Sequence, residues 1–229
     1  KIRLTGGEPT VRHDLLDIAR AVSATPGIRT VALTTNGYKL KHEAHAYVDA
    51  GIRALNVSID SLDPAQFQAI TGQDMLAQVR EGVDAAKAAG FTAIKINSVL
   101  LKDVTDHNLP DFLAWIQHES LSVRFIELMQ TGENLAFFKQ HHLSANTIIQ
   151  QLLERGFVPE IRKPDAGPAL EFSHPDYAGK IGIIAPYAKD FCKSCNRLRV
   201  TSRGQLMLCL FGEGGYDLRP YLQADDQRE

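Results

Sequence analysis

The seven residues Ala54–Asp60 read A-L-N-V-S-I-D, with Leu55, Val57 and Ile59 alternating with Asn56, Ser58 and Asp60. A period of two belongs to a β-strand with one apolar and one polar face. The alternation recurs nearby. Ile2 and Leu4 alternate with Lys1, Arg3 and Thr5, and Ile94 and Ile96 with Lys95 and Asn97. Five strand-like runs result, at Lys1–Thr5, Thr30–Thr34, Ala54–Asp60, Thr92–Val99 and Ser122–Leu128. Helical patterns separate them at Asp14–Ala24, Lys41–Ala50, Asp74–Ala89 and Asn108–Gln117, with a shorter helix from Pro64 to about Ile70. Strands alternating with helices at this spacing build βα units on a parallel sheet. Asp14 and Asp74 are placed to cap helices, and Gly51 and Gly90 to end them.

A parallel sheet covered by helices on both faces is apolar on both. These strands are not. The crossover helices need the apolar sets, so the polar sets share the opposite face, which suits an open or wide barrel whose lumen holds a polar ligand. Arg3 and Lys95 on that face suit phosphates or a carboxylate. Barrel enzymes keep their chemistry at the carboxyl ends of strands, and three polar strand ends follow one another here: T-G-G-E-P at Thr5–Pro9, T-T-N-G at Thr34–Gly37 and S-I-D-S at Ser58–Ser61. The paired glycines let backbone approach a ligand, and Glu8 suits an amine.

After Leu128 the βα rhythm fails. A polar helical stretch runs to about Arg155, and the segment Gly156–Gly179, with four prolines, reads as irregular hairpins. Then comes Phe191–Phe211, F-C-K-S-C-N-R-L-R-V-T-S-R-G-Q-L-M-L-C-L-F, which holds all three cysteines: Cys192, Cys195 and Cys209. A C-x-x-C pair with a third thiol folding back suits a soft metal or an iron–sulfur cluster. A closed zinc site or an ordinary cubane takes four ligands. Three leave one iron of a 4Fe-4S cluster open to a ligand, with Arg197 and Arg199 beside it for an anionic one. Zinc completed by a histidine such as His174, or plain buried thiols, are the competing readings. The tail, ending in L-F-G-E-G-G-Y at Leu210–Tyr216, reads as a cap over one mouth of the barrel.

Composition bounds the function. The 229 residues carry a formal charge of −2, which gives no global field for nucleic acid. No stretch is long and apolar enough for a membrane span. Three cysteines in a loop motif suit a reducing cytosol, hence a cytoplasmic protein. His107, His118, His141, His142 and His174 lack metal-ligand spacing with each other, and Trp115 sits on a helical pattern as a core residue. The start at Lys1, inside a strand-like run, and the polar end at Gln223–Glu229 read as those of a piece of a longer protein.

T-G-G-E-P, T-T-N-G and V-S-I-D-S at βα spacing resemble the core of the radical S-adenosylmethionine enzymes. C-x-x-C-N-R-L-R followed by L-x-L-C-L-F resembles more narrowly the molybdenum-cofactor biosynthesis protein A, or GTP 3′,8-cyclase, family. R-F-I-E-L-M at Arg124–Met129, H-P-D-Y-A-G at His174–Gly179 and L-F-G-E-G-G at Leu210–Gly215 extend the resemblance along the whole chain. It implies an α/β fold, an incomplete (βα)6-type TIM-like barrel with a C-terminal capping segment that binds an iron–sulfur cluster. Residues 1–130 become a partial barrel lacking its first strand, and residues 131–229 the auxiliary-cluster and substrate-binding segment.

The implied reaction is radical cyclisation of GTP to (8S)-3′,8-cyclo-7,8-dihydroguanosine 5′-triphosphate, the first step of molybdenum cofactor biosynthesis. Carried over residue by residue, Cys192, Cys195 and Cys209 hold the auxiliary 4Fe-4S cluster. Arg3, Thr34, Lys95, Arg197, Leu198 and Arg199 bind GTP. Gly7, Ser58 and Met129 bind S-adenosylmethionine, with Glu8 and Asn36 as neighbours. The family further implies a homodimer and transfer of product to cyclic pyranopterin monophosphate synthase. There is one departure. The C-x-x-x-C-x-x-C motif for the radical-generating 4Fe-4S cluster does not occur in this sequence, so that cluster is expected only in a longer chain, and this stretch alone is expected to be inactive. The alternatives are another radical S-adenosylmethionine enzyme with an auxiliary cluster, such as a peptide-modifying maturase, whose C-terminal regions are longer and richer in cysteine, and a non-catalytic zinc-binding module, which gives Arg3 and Lys95 no role.

Overall fold

The computed structural model describes residues 1–161, 167–189, 191–193, 195–209, 212 and 214–222, with backbone only at residue 106. The first half runs β1 (Ile2–Leu4), α1 (Leu15–Ala24), β2 (Val31–Thr35), α2 (Leu40–Asp49), β3 (Ile52–Ser58), α3 (Pro64–Thr71), α4 (Leu76–Ala88), β4 (Ala93–Leu100), α5 (Thr105–His118) and β5 (Ser122–Glu127). These are the elements that the alternation predicts, displaced by a few residues at their ends. Strands β1 to β5 pair in parallel and in chain order. The apolar sets do face the helices. Leu55, Val57, Ile96, Val123 and Phe125 are fully buried against Leu40, Tyr47, Val79, Val83 and Phe112 of the helix layer. Each such side chain contributes about 1.5–3 kcal/mol relative to exposure. Phe112 and Phe125 meet edge to face at 5.4 Å. On the edge strand β1 the cover thins: Leu4 is half-buried and Ile2 is exposed.

The caps differ in part from expectation. Asp14 stands at the N-cap of α1 without capping it, because its carboxylate is held by Arg12 at 2.7 Å. Met75, not Asp74, precedes α4. Asp63 does cap α3, accepting from the Gln66 amide at 2.8 Å. Gly51 and Gly90 follow α2 and α4 with positive φ, as read.

The rhythm after Leu128 breaks less than the sequence suggests. Helices α6 (Leu135–His141) and α7 (Ala145–Glu154) lead to β6 (Val158–Pro159), β7 (Leu170–Ser173) and β8 (Lys180–Ile184). Strand β8, K-I-G-I-I, pairs in parallel with β5. It escaped the reading because the antiparallel pair β6–β7 interrupts its crossover. Among the described residues the sheet order is β1-β2-β3-β4-β5-β8-β7-β6, open rather than closed, as an incomplete barrel requires. Residues beyond 130 therefore extend the sheet itself. Strands β9 (Arg199–Val200), β10 (Gln205–Met207) and β11 (Tyr216–Asp217) form a separate antiparallel sheet, followed by the short α8 (Arg219–Leu222). No helix among the described residues is long and apolar enough to cross a membrane.

Candidate functional site

The polar face of the sheet carries the charge. Thr34 pairs with Asn56, Asn56 with Lys95 and Lys95 with Ser122, so four strands line up polar residues in one row. One step further along, Ser58, Asn97, Arg124 and Gly182 continue it. Arg3 reaches from β1 to donate to Thr34 Oγ1 at 3.1 Å. Arg124 is only 7% exposed. Its Nη2 meets Glu171 Oε1 at 2.6 Å, and Ser122 donates to the other carboxylate oxygen at 3.2 Å. Its Nε is buried without a partner, as is Asn97 Oδ1 on the same face.

Cations crowd there. Burial, then Arg124 and Lys1, pushes Lys95 down to about 8, with Glu171 opposing and Arg3 adding to the fall. Lys1 is lowered by burial, then by Arg3 and Arg124. Arg3 is lowered by partial burial, then by Arg124 and Arg197, so a residue of the cysteine segment acts on the sheet. Lys1, Arg124 and Glu171 were not singled out from the sequence. Arg124 was within reach, since Val123 and Phe125 put it on the polar face. Glu171 was not, because nothing marks β7 as a neighbour of that face before the hairpin is seen.

The strand ends form a rim. Gly6 and Gly7 take φ of 94° and 46°, and a Cβ on either meets nothing within 4 Å. Glycine adopts this left-handed backbone without strain, and the turn faces open space rather than protein. Glu8 is turned inward: Oε1 accepts from the Thr10 amide, Thr10 Oγ1 and Thr35 Oγ1, and Oε2 from the Asn36 amide at 2.6 Å. It clamps T-G-G-E-P to T-T-N-G, which leaves an amine only the remaining capacity of Oε2. Asp60, whose carboxyl burial raises while the Val99 amide lowers it, ties S-I-D-S to β4. At the end of β5, Glu127 is buried beside His142 Nε2 at 2.9 Å; past it, Asn134 Nδ2 donates to the Met129 carbonyl, and the Gln130 amide donates to Tyr187 Oη.

The cysteines are exposed, which rules out buried thiols. Cys192 and Cys195 share one turn, the Cys195 amide donating to the Cys192 carbonyl at 3.2 Å. Hydrogen bonds from the Arg197 backbone and side chain lower the Cys195 thiol, toward the ligating thiolate form. Three accessible thiols on one segment fit an iron–sulfur cluster in donor chemistry. The structure does not gather them: among the described residues no group of three or more His, Cys, Asp or Glu is placed to hold a metal. His174 packs on Phe157 and Tyr177, and its Nδ1 accepts from the Asp176 amide, so it is no fourth ligand here. Of the L-F-G-E-G-G loop, Leu210, Phe211 and Glu213 lie outside the described residues, as do Ser194 and Gln223–Glu229.

A parallel sheet with a cationic polar face, a glycine rim and a C-terminal thiol segment now has relatives to be set against. Residues 1–116 match the family model of the Radical SAM superfamily, and residues 121–229 that of Molybdenum Cofactor Synthesis C. The chain is 56% identical over its whole length to a GTP 3′,8-cyclase of Klebsiella pneumoniae, of which it spans 69%. It is equally similar to the GTP 3′,8-cyclase of Aeromonas hydrophila, spanning 67%. The chain belongs to the GTP 3′,8-cyclase family. Its fold is also that of Streptococcus suis SuiB, with a TM-score of 0.62 at 12% identity over 97% of this chain and 53% of that one.

Within a GTP 3′,8-cyclase frame the site residues fall into three groups. Thr34 and Ser58 lie at the carboxyl ends of β2 and β3, and Gly7 and Met129 just beyond β1 and β5. Arg3 and Lys95 share the inner face. Arg197, Leu198 and Arg199 lie on the cysteine segment, with Arg197 over the Phe191 ring at 5.9 Å and Leu198 exposed. The first two groups are brought together by the sheet. Of the third, Arg197 is linked to it among the described residues, through its effect on Arg3.

Proposed function

We propose that the chain binds GTP on the cationic inner face and S-adenosylmethionine across the strand ends, and serves the cyclisation of GTP to (8S)-3′,8-cyclo-7,8-dihydroguanosine 5′-triphosphate in molybdenum cofactor biosynthesis. The observation that carries this reading is the charge imbalance. Lys1, Arg3, Lys95 and Arg124 act on one another as like charges, while Glu171 opposes Lys95 and pairs with Arg124, in a member of the GTP 3′,8-cyclase family. A face so arranged is stabilised by a polyanion, and a triphosphate supplies one.

Arg3, Thr34 and Lys95 hold the phosphates, while Arg197, Leu198 and Arg199 close over the nucleotide from the cysteine segment. Gly7, Ser58 and Met129 hold S-adenosylmethionine, with Asn36 and Glu8 fixing the rim on which it sits. Cys192, Cys195 and Cys209 hold an auxiliary 4Fe-4S cluster. Such a cluster would supply Lewis-acid iron with a position left open by the three cysteines, beside Arg197 and Arg199. The division near residue 130, between barrel strands and the cluster and substrate segment, belongs to this reading. Family membership supports a homodimer, a cytoplasmic setting and hand-over of product to cyclic pyranopterin monophosphate synthase. A zinc module leaves the buried cations without a role.

The test is anaerobic reconstitution followed by iron, sulfide and zinc analysis, with visible spectra before and after GTP. Cys209→Ser is expected to lower iron and sulfide by about four each per chain, with far-UV circular dichroism unchanged and the spectral response to GTP abolished. Stoichiometric zinc that survives iron loading, with no response to GTP, overturns the reading.

A further inference from the structure

Glu171 stands out as the acid of a basic surface. It is carried on β7, outside the run of βα units, yet it reaches across β8 to Arg124 on β5. Two features show that the contact is built. First, Gly182 lies between them on β8: a Cβ there falls 3.0 Å from Arg124 Cγ and 3.2 Å from Glu171 Oε2. Any other residue presses on the pair. Second, Ser122 donates to Glu171 Oε2 at 3.2 Å, so both carboxylate oxygens are engaged from β5. A buried guanidinium tied at Nη2 to a carboxylate that Ser122 holds by its other oxygen has little freedom to turn. What remains of Arg124 includes Nε, buried and without a hydrogen-bond partner among the described residues.

We propose that Glu171 is a positioning residue: it fixes the plane of Arg124 so that this arginine meets the phosphates of the bound nucleotide in one orientation. This rests on the reading of the inner face as the GTP site. Glu171 does not touch the nucleotide; it acts through Arg124. Reach therefore matters more than charge. Glu171→Asp keeps the charge and withdraws it by one methylene, whereas Glu171→Gln keeps an oxygen within reach of Nη2 and drops the charge.

The experiment is calorimetric titration of the full chain with GTP, with inorganic triphosphate and with S-adenosylmethionine. Glu171→Asp is expected to weaken GTP and triphosphate about tenfold, and Glu171→Gln less than threefold. Gly182→Ala, which leaves both charges in place and displaces them, is expected to behave like Glu171→Asp. S-adenosylmethionine affinity stays within twofold throughout. The reverse order, Asp like wild type and Gln altered, overturns positioning in favour of a plain counter-charge. Equal losses for GTP and S-adenosylmethionine overturn it in favour of a structural role. Lys95→Met separates the two readings. If it weakens GTP while the Glu171 and Gly182 variants do not, positioning fails alone. If it leaves GTP binding intact, the site reading fails and the proposal with it.

Discussion

Lys95 is the residue at which binding and stability pull apart, and Lys95→Met is the perturbation that shows it. Burial first, then Arg124 and Lys1, brings the ammonium to about 8 against an ordinary 10.5. At ~1.4 kcal/mol per pH unit that gap corresponds to about 3.4 kcal/mol, and screening at a side chain still partly open to water reduces it to roughly 1–2 kcal/mol. The direction follows from proton counting. Below about pH 8 both folded and unfolded chains hold the proton, and the folded one bears the full cost. Between about 8 and 10.5 the unfolded chain holds a proton that the folded one has released, so stability rises with pH there. Methionine keeps the length and removes the charge. Lys95→Met is therefore expected to unfold about 1–2 kcal/mol later than wild type at pH 7 and to lose the rise above pH 8, read by urea titration from pH 6.5 to 10. An anion at Lys95 favours its charged form, so wild-type affinity for GTP falls as pH passes about 8, and Lys95→Met binds weakly at every pH. A variant less stable than wild type at pH 7, or one with an unchanged pH slope, refutes the reasoning.

Three further outcomes are expected. Glu8→Ala frees the amides of Thr10 and Asn36 and the hydroxyls of Thr10 and Thr35; thermal unfolding should show a loss of about 2–3 kcal/mol, with weaker S-adenosylmethionine binding by calorimetry. Phe125→Ala empties a fully buried position against Phe112 and should cost about 3–5 kcal/mol in urea titration; a loss below 1 kcal/mol contradicts the core described here. His142→Ala leaves Glu127, 5% exposed, without its described partner at Oε1 and should cost about 1–3 kcal/mol, with protease cutting near Met129 accelerated as the readout.

The sequence discloses most where its period is strong. Leu55, Val57 and Ile59 mark both a strand and the face that meets helices, because a buried apolar row is enforced at every second residue. The same logic puts Arg3 and Lys95 on the inner face, where the structure has them. It loses sight of β8, because K-I-G-I-I sits beyond an antiparallel interruption and Gly182 leaves a gap in the polar row. That gap is occupied space: the pair Arg124–Glu171 lies across it. It also misjudges Asp14 and Asp74, since a cap depends on whether the carboxylate is free, and Arg12 claims that of Asp14. Cys192, Cys195 and Cys209 illustrate the opposite limit. Count and spacing suggest a thiolate site, and the structure shows three exposed thiols that, among the described residues, are not brought into one metal-holding group.

The cationic face explains why legibility ends where it does. A core residue is fixed by a local preference shared with its neighbours, and strand period, burial and packing agree on it. Arg124 and Lys95 are placed against such agreement: one is almost wholly buried with an unpartnered Nε, the other is held below its ordinary protonation range. Neither arrangement favours folding, so strand period places both residues on the face without foretelling the burial of the one or the lowered protonation of the other. Glu171 limits the cost without cancelling it: among the described residues it pairs with Arg124 and opposes Lys95, while Lys1 and Arg3 add to the positive charge. A second acid on the face would steady the fold further and, on the proposed reading, repel the phosphates of a nucleotide. The incomplete neutralisation among the described residues is thus the feature on which that proposal rests.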